Sequence, residues 1–177
     1  MKKYNPNAEF LELEKKADTT PTKDIGDLPY IFVKPDELPL DVPTENAETK
    51  EHQYNICCLE GKKILNFTGI SNTELKLRYG AGNIHFLQSC DMNYTRLVQN
   101  ISRLGEDYLK EGHEEEARKI LEYGISVGTD VKKNYTLLAD IYNKNGEYEK
   151  ISGLKETARN INSLSKNGIL RALGAEP

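Results

Sequence analysis

The second half of the chain carries a helical rhythm of apolar positions. From Asn93 onward Leu97, Ile101, Leu104 and Tyr108 recur at steps of four, three and four residues, which lines one face of an α-helix. Gly112 interrupts the run. A second run places Ala117, Ile120, Leu121 and Gly124 on one side and Glu114, Glu115, Arg118 and Lys119 on the other. Its three consecutive glutamates, Glu114 to Glu116, stand in the first turn, where the helix dipole favours anions. The pattern then repeats at an offset of 34: Leu104 falls on Leu138, Gly105 on Ala139, Tyr108 on Tyr142, Gly112 on Gly146, Ile120 on Leu154, Gly124 on Ala158, Val127 on Ile161 and Thr129 on Ser163. Each unit reads as a helix, a tight turn at glycine and a second helix. One such hairpin cannot bury its own apolar face, so the two stack.

The first half has a different pattern. "QYNICCLEGKKILNFTGI" is rich in β-branched and aromatic residues and predicts two short strands around Glu60-Gly61-Lys62-Lys63, with Cys57 and Cys58 on opposite faces. In "ISNTELKLRYG", Leu75, Leu77 and Tyr79 alternate as a strand would. However, Ser71 with Glu74 makes a capping box, Ile70 with Leu75 a hydrophobic staple, and Gly80 a helix stop, so the prediction is a short helix over 72–79. Between Ala17 and Glu51 no apolar period lasts beyond "LPYIFV", and six of the seven prolines lie from Pro6 to Pro43. Proline fixes φ and removes a donor, which predicts an extended, partly disordered arm with Tyr30, Ile31, Phe32 and Val33 docked on the body.

The expected architecture is mainly α. An acidic, proline-rich arm spans 1–52, a β-hairpin and short helix span 53–91, and a module of antiparallel helical hairpins spans 92–177. "SLSKNGILRAL" supplies a C-terminal capping helix, with Ser163 as its cap and Leu164, Ile169, Leu170 and Leu173 as its apolar set.

"ISRLGEDYLKEGHEEEARKIL" resembles a tetratricopeptide repeat, a family marked by an aromatic, Leu-Gly and Tyr on the first helix and Ala and an aromatic on the second. Leu104, Gly105, Tyr108 and Ala117 match at the family spacing, with Ile101 in place of tryptophan and Leu121 in place of phenylalanine. "YTLLADIYNKNGEYEKI" matches through Tyr135, Leu138, Ala139, Tyr142, Gly146 and Tyr148, and departs at Ile151 and Lys155. Thr129 and Ser163 stand where the family's closing proline is expected. The resemblance implies an α-α superhelix that binds a protein or peptide partner in the groove lined by the first helices. The implied groove residues of the first unit are Gln99, Ser102, Arg103, Glu106, Leu109 and Lys110. From the second unit they are Lys133, Thr136, Asp140, Asn143 and Lys144. Some members of the family clamp a chaperone's C-terminal carboxylate there. Glu106 would repel a carboxylate, which argues against that variant.

Composition narrows the function classes. The 177 residues are 37% apolar and 29% charged, enough for a core of ordinary size, and the net charge of −4 with a pI near 5.5 gives no electrostatic footprint for nucleic acid. Residues 1–91 carry 11 basic and 15 acidic side chains, net −4, whereas 92–177 carry 13 of each. No run approaches the roughly 18 apolar residues of a membrane span, and no apolar segment follows the opening lysines as in a signal peptide. Three cysteines without Cys-x-x-Cys spacing argue against a disulfide scaffold or structural zinc and make a reducing, cytoplasmic setting the expectation. The expected protein is therefore a non-enzymatic interaction module without a cofactor. The alternative is a thiol-based redox sensor or small cysteine-dependent enzyme using Cys57, Cys58 or Cys90, with His52 or His85 as base. His52, His85 and His113 lack metal-ligand spacing, "YGAGN" lacks the Lys-Ser/Thr of a phosphate loop, and the Asn-x-Ser/Thr sequons at Asn66, Asn93, Asn100 and Asn134 have no secretion signal beside them.

Overall fold

A computed structural model describes residues 6–176 and contains eight α-helices and no strand among the described residues. The centre of the fold is α4 (Ile84–Lys110), whose 27 residues extend about 40 Å at 1.5 Å per residue. Its buried stripe runs Ile84, Leu87, Cys90, Tyr94, Leu97, Ile101, Leu104 and Tyr108. The helical period therefore begins at Ile84. The expected division at residue 91 falls inside one continuous helix, because Ile84, Leu87 and Cys90 already occupy the face that Tyr94 and Leu97 continue.

Two hairpins follow. α4 turns into α5 (Glu114–Ser126), and α6 (Lys132–Lys144) turns into α7 (Tyr148–Arg159). In the first turn Gly112 N–H donates to Leu109 O (3.3 Å) and His113 N–H to Tyr108 O (2.8 Å). In the second, Gly146 N–H donates to Asn143 O (3.1 Å) and Glu147 N–H to Tyr142 O (2.8 Å). Both turn glycines take positive φ, 84° and 70°, the left-handed stop that any Cβ would strain. The same hydrogen bonds thus recur 34 residues apart. α5 packs on α4 and on α6, α6 on α7, and α8 (Lys166–Ala172) closes the far end against α6 and α7. Within α8 and just after it Ile169, Leu170 and Leu173 are buried as expected. The helix begins later than predicted, after Ser165. Ser163 instead donates its hydroxyl to Asp130 (2.6 Å) and accepts from Ser165 N–H, which leaves Leu164 fully exposed.

The N-terminal half departs most from expectation. Residues 1–5 of the predicted arm lie outside the described residues. The rest of it opens with α1 (Pro6–Asp18), where proline occupies the first helical position, the one helical place its missing N–H does no harm. α1 packs on α3 (Asn72–Tyr79) through Lys76, which bonds Asp18 (2.6 Å), and through Thr73, which donates to Glu14. The predicted β-hairpin over "QYNICCLEGKKILNFTGI" does not form. Its first part completes α2 (Ala47–Cys57), which crosses the expected boundary at residue 52. Asn46 caps α2 by accepting from Glu48 N–H (2.9 Å), and Ala47, Glu48, Lys50 and Glu51 propagate it, so the β-forming Tyr54, Ile56 and Cys57 arrive in its last turn. None of the predicted pairing remains; the second part of the stretch instead meets the arm through two isolated bridges, Ile31 with Ile64 and Val33 with Glu60, and Pro29 and Pro35 stop the arm segment from extending.

α3 has the predicted bounds, with Ser71 accepting from Glu74 N–H (3.2 Å) and Gly80 at its end. Together with Leu65, Phe67, Ile84, Leu87 and Cys90 it builds a second, smaller core, onto which Ile25, Leu28 and Tyr30 of the arm pack. Val33 joins the main core, while Phe32 faces outward.

Candidate functional site

The α4–α6 face implied by the sequence is partly formed. Gln99, Arg103, Lys110, Lys133, Asp140 and Asn143 are exposed. Glu106 is half-buried between two cations, 2.8 Å from Lys133 Nζ and 3.4 Å from Lys110 Nζ. Lys133 above all holds the Glu106 carboxyl below its ordinary range. This pair ties α4 to α6 and fixes a positive–negative–positive row across the face. Leu109 is half-buried, and Thr136 spends its hydroxyl on Lys133 O (3.1 Å).

One of the predicted residues is covered, and another is held by a carboxylate of the neighbouring helix. Ser102 is buried, 2% exposed, with its hydroxyl unpartnered, so it offers nothing to a partner. Lys144 is exposed but its ammonium is bonded to Glu114 at the start of α5. Ser102 misses the expected role because helix register alone does not tell which side of α4 its neighbours cover.

Two of the three thiols are shifted away from reactivity. Cys57 and Cys58 end α2 rather than lying on a strand, and both are half-buried, whereas Cys90 is buried in the smaller core. Burial pushes the Cys57 thiol up, with Cys58 and Glu60 adding to it, and burial likewise pushes Cys90 up. Nucleophilic cysteines need the opposite shift. His85 is exposed, and His113 is half-buried, edge-on to the Tyr108 ring with centroids 6.2 Å apart.

His52 does find partners, which the scattered histidines of the sequence did not suggest. Its Nδ1 lies 3.1 Å from Asn100 Oδ1 and its Nε2 3.7 Å from Asp107 Oδ2. Around it α2 meets α4 through side chains almost throughout: Thr49 donates to Glu111, Gln53 to the Tyr108 hydroxyl (3.0 Å), Asn55 to Asn100 (3.2 Å), and Arg96 to Asn55 (2.7 Å). The available signal was Asn100 and Asp107, polar residues seven apart on the most apolar helix of the chain.

A cleft of about 520 Å³ is lined by Asn66, Thr68, Tyr135, Thr157, Asn160 and Asn162, among others. Its amides are already engaged, Asn66 with the Tyr94 hydroxyl (2.9 Å) and Asn162 with Thr68 O (3.3 Å), and no carboxylate, histidine or cysteine lines it. Among the described residues no group of three or more His, Cys, Asp or Glu side chains could hold a metal ion, and no helix is long and apolar enough to cross a membrane. No family model, curated protein or solved structure matches the chain.

Proposed function

We propose that the chain is a non-enzymatic interaction module of the tetratricopeptide-like kind, which holds a protein or peptide partner against the α4–α6 face. The observation that carries this reading is the 34-residue recurrence of the two helical hairpins, down to the turn hydrogen bonds of Gly112 with Leu109 and Gly146 with Asn143. Hairpins in this register stack with their first helices side by side and leave one face of those helices for a ligand. On that face Arg103 and Asp140 are exposed charges, and Lys133, Glu106 and Lys110 form a fixed row. The three free thiols fit a reducing compartment such as the cytoplasm.

The test is affinity capture with the intact chain, comparing Arg103→Ala and Lys133→Ala with Lys15→Ala on α1. Lys133→Ala breaks an exposed ion pair worth at most about 1 kcal/mol, so the fold survives it. A partner lost with both face variants and retained with the α1 variant supports the reading. Capture indifferent to both face variants removes the α4–α6 face as the site.

A further inference from the structure

The contact between α2 and α4 has a polarity that can be traced atom by atom. The Arg96 guanidinium carries only donors, so the Asn55 oxygen must face it (2.7 Å). The Asn55 amide nitrogen then donates to Asn100 Oδ1 (3.2 Å), while Asn100 Nδ2 donates to Arg96 O (2.8 Å), which fixes the second amide. Asn100 Oδ1 can only accept, so His52 Nδ1 at 3.1 Å carries a hydrogen. In a neutral imidazole Nε2 is then a bare acceptor, and it faces Asp107 Oδ2, a buried oxygen without any donor. The two side chains are 14% and 9% exposed, so water does little to relieve two acceptors set against each other. One proton removes the conflict, on either atom.

We propose that α2 is a proton-gated latch: a single proton between His52 Nε2 and Asp107 Oδ2 holds α2 on α4, and its loss lets α2 lift away. The surroundings favour keeping that proton. Two carboxylates face it, Glu106 from α4 and Glu48 from α2, and around the neighbouring Tyr108 stand Asp41 from the arm, Glu111 just after α4 and Glu116 from α5. The basic groups facing them are Lys110, 3.9 Å from Asp107 Oδ1, and His113 near Glu111; Arg96 stands two amides away. Burial pushes the Asp107 carboxyl up in the same direction. A docked state that binds more protons than the undocked one weakens as pH rises, here above the ordinary imidazole range, because below it the undocked pair holds one proton as well. Release is local because most of the contact is polar: Ile56 is the apolar side chain that α2 buries fully, beside Thr49 and Gln53. The latch does not depend on what the α4–α6 face binds.

Hydrogen exchange on the intact chain tests it, reading α2 amides against those of α5 from about pH 5 to 9, corrected for intrinsic rates. The expected result is protection in α2 that falls by up to about tenfold per pH unit above the ordinary imidazole range and levels off once the docked pair has lost its proton, while α5 stays level. Asp107→Asn supplies an N–H to the bare Nε2, so this variant keeps α2 protected with no such slope. Nitrogen NMR of the wild-type imidazole provides an independent reading, with the hydrogen of the neutral ring expected on Nδ1. Protection of α2 that tracks α5 at every pH, an unchanged slope in Asp107→Asn, or a neutral ring protonated at Nε2 overturns the latch.

Discussion

A single methyl group separates Gly105 on α4 from its counterpart Ala139 on α6, and the difference is imposed by a neighbour. A Cβ built on Gly105 would stand 2.6 Å from Leu121 Cγ and Cδ2, and Leu121 is fully buried and cannot swing aside. Gly153, inside α7, has nothing within 4 Å of the same position. The same substitution should therefore have opposite signs. Gly105→Ala gains up to about 1 kcal/mol of helix propensity but overpacks the seam by roughly 1–3, for a net loss of about 1–2 kcal/mol. Gly153→Ala gains roughly 0.5–1 kcal/mol. Urea midpoints of the two variants decide it; a stable Gly105→Ala protein would mean the two helices are further apart than described. At this scale the sequence was partly legible. The small residue at 105 announced a close approach, whereas Ser102 gave no sign that it would be covered, because burial of a polar side chain depends on elements remote in the chain.

At the level of elements, legibility followed the length of the periodic signal. α5 to α7, and α4 from Asn93 onward, show a clear 3.6-residue rhythm, and α3 carries three end signals within eleven residues, so these could be placed closely, whereas the start of α4 at Ile84 was missed. α2 could not, because its apolar content is low and its last turn holds Tyr54, Ile56, Cys57 and Cys58, which suit a strand equally well. What decides between them is tertiary, namely Ile56, Thr49 and Gln53 buried against the rest of the fold. The two hairpins make a comparison available. Leu104 and Leu138 occupy equivalent places, both with no exposed surface, and truncating either to alanine should remove roughly 2–5 kcal/mol. Since α4 to α8 share one continuous core, both variants should keep a single unfolding transition with an unchanged urea slope. A second transition appearing with Leu138→Ala alone would show that the C-terminal hairpin melts independently.

At the scale of the molecule, four buried tyrosines fasten the fold through their hydroxyls, three of them across segments far apart in sequence and Tyr135 to the loop just before its own helix. Tyr94 donates to Val127 O (3.1 Å), Tyr108 to Pro39 O in the arm, Tyr135 to Thr129 O (3.0 Å) and Tyr142 to Glu122 Oε1 (2.7 Å). An ionised phenolate cannot donate, and burial disfavours its charge. Burial accordingly pushes Tyr108 and Tyr135 up to about 12 and raises Tyr94 and Tyr142 as well, with the Glu122 carboxylate adding to the last. In the unfolded chain all four ionise near the ordinary value of about 10. The unfolded state therefore releases protons first, and the stability these hydroxyls contribute is whole below about pH 10 and drains away as pH rises through about 12. Tyrosinate absorbance and helical circular dichroism are to be followed together across that range. Tyr94, Tyr108, Tyr135 and Tyr142 should titrate only as helix is lost, in one cooperative step, because the groups that ionise are the ones joining arm, loops and hairpins. Full ionisation of all ten tyrosines with the helices intact would contradict the burial of these hydroxyls and the role given them in holding the stack together.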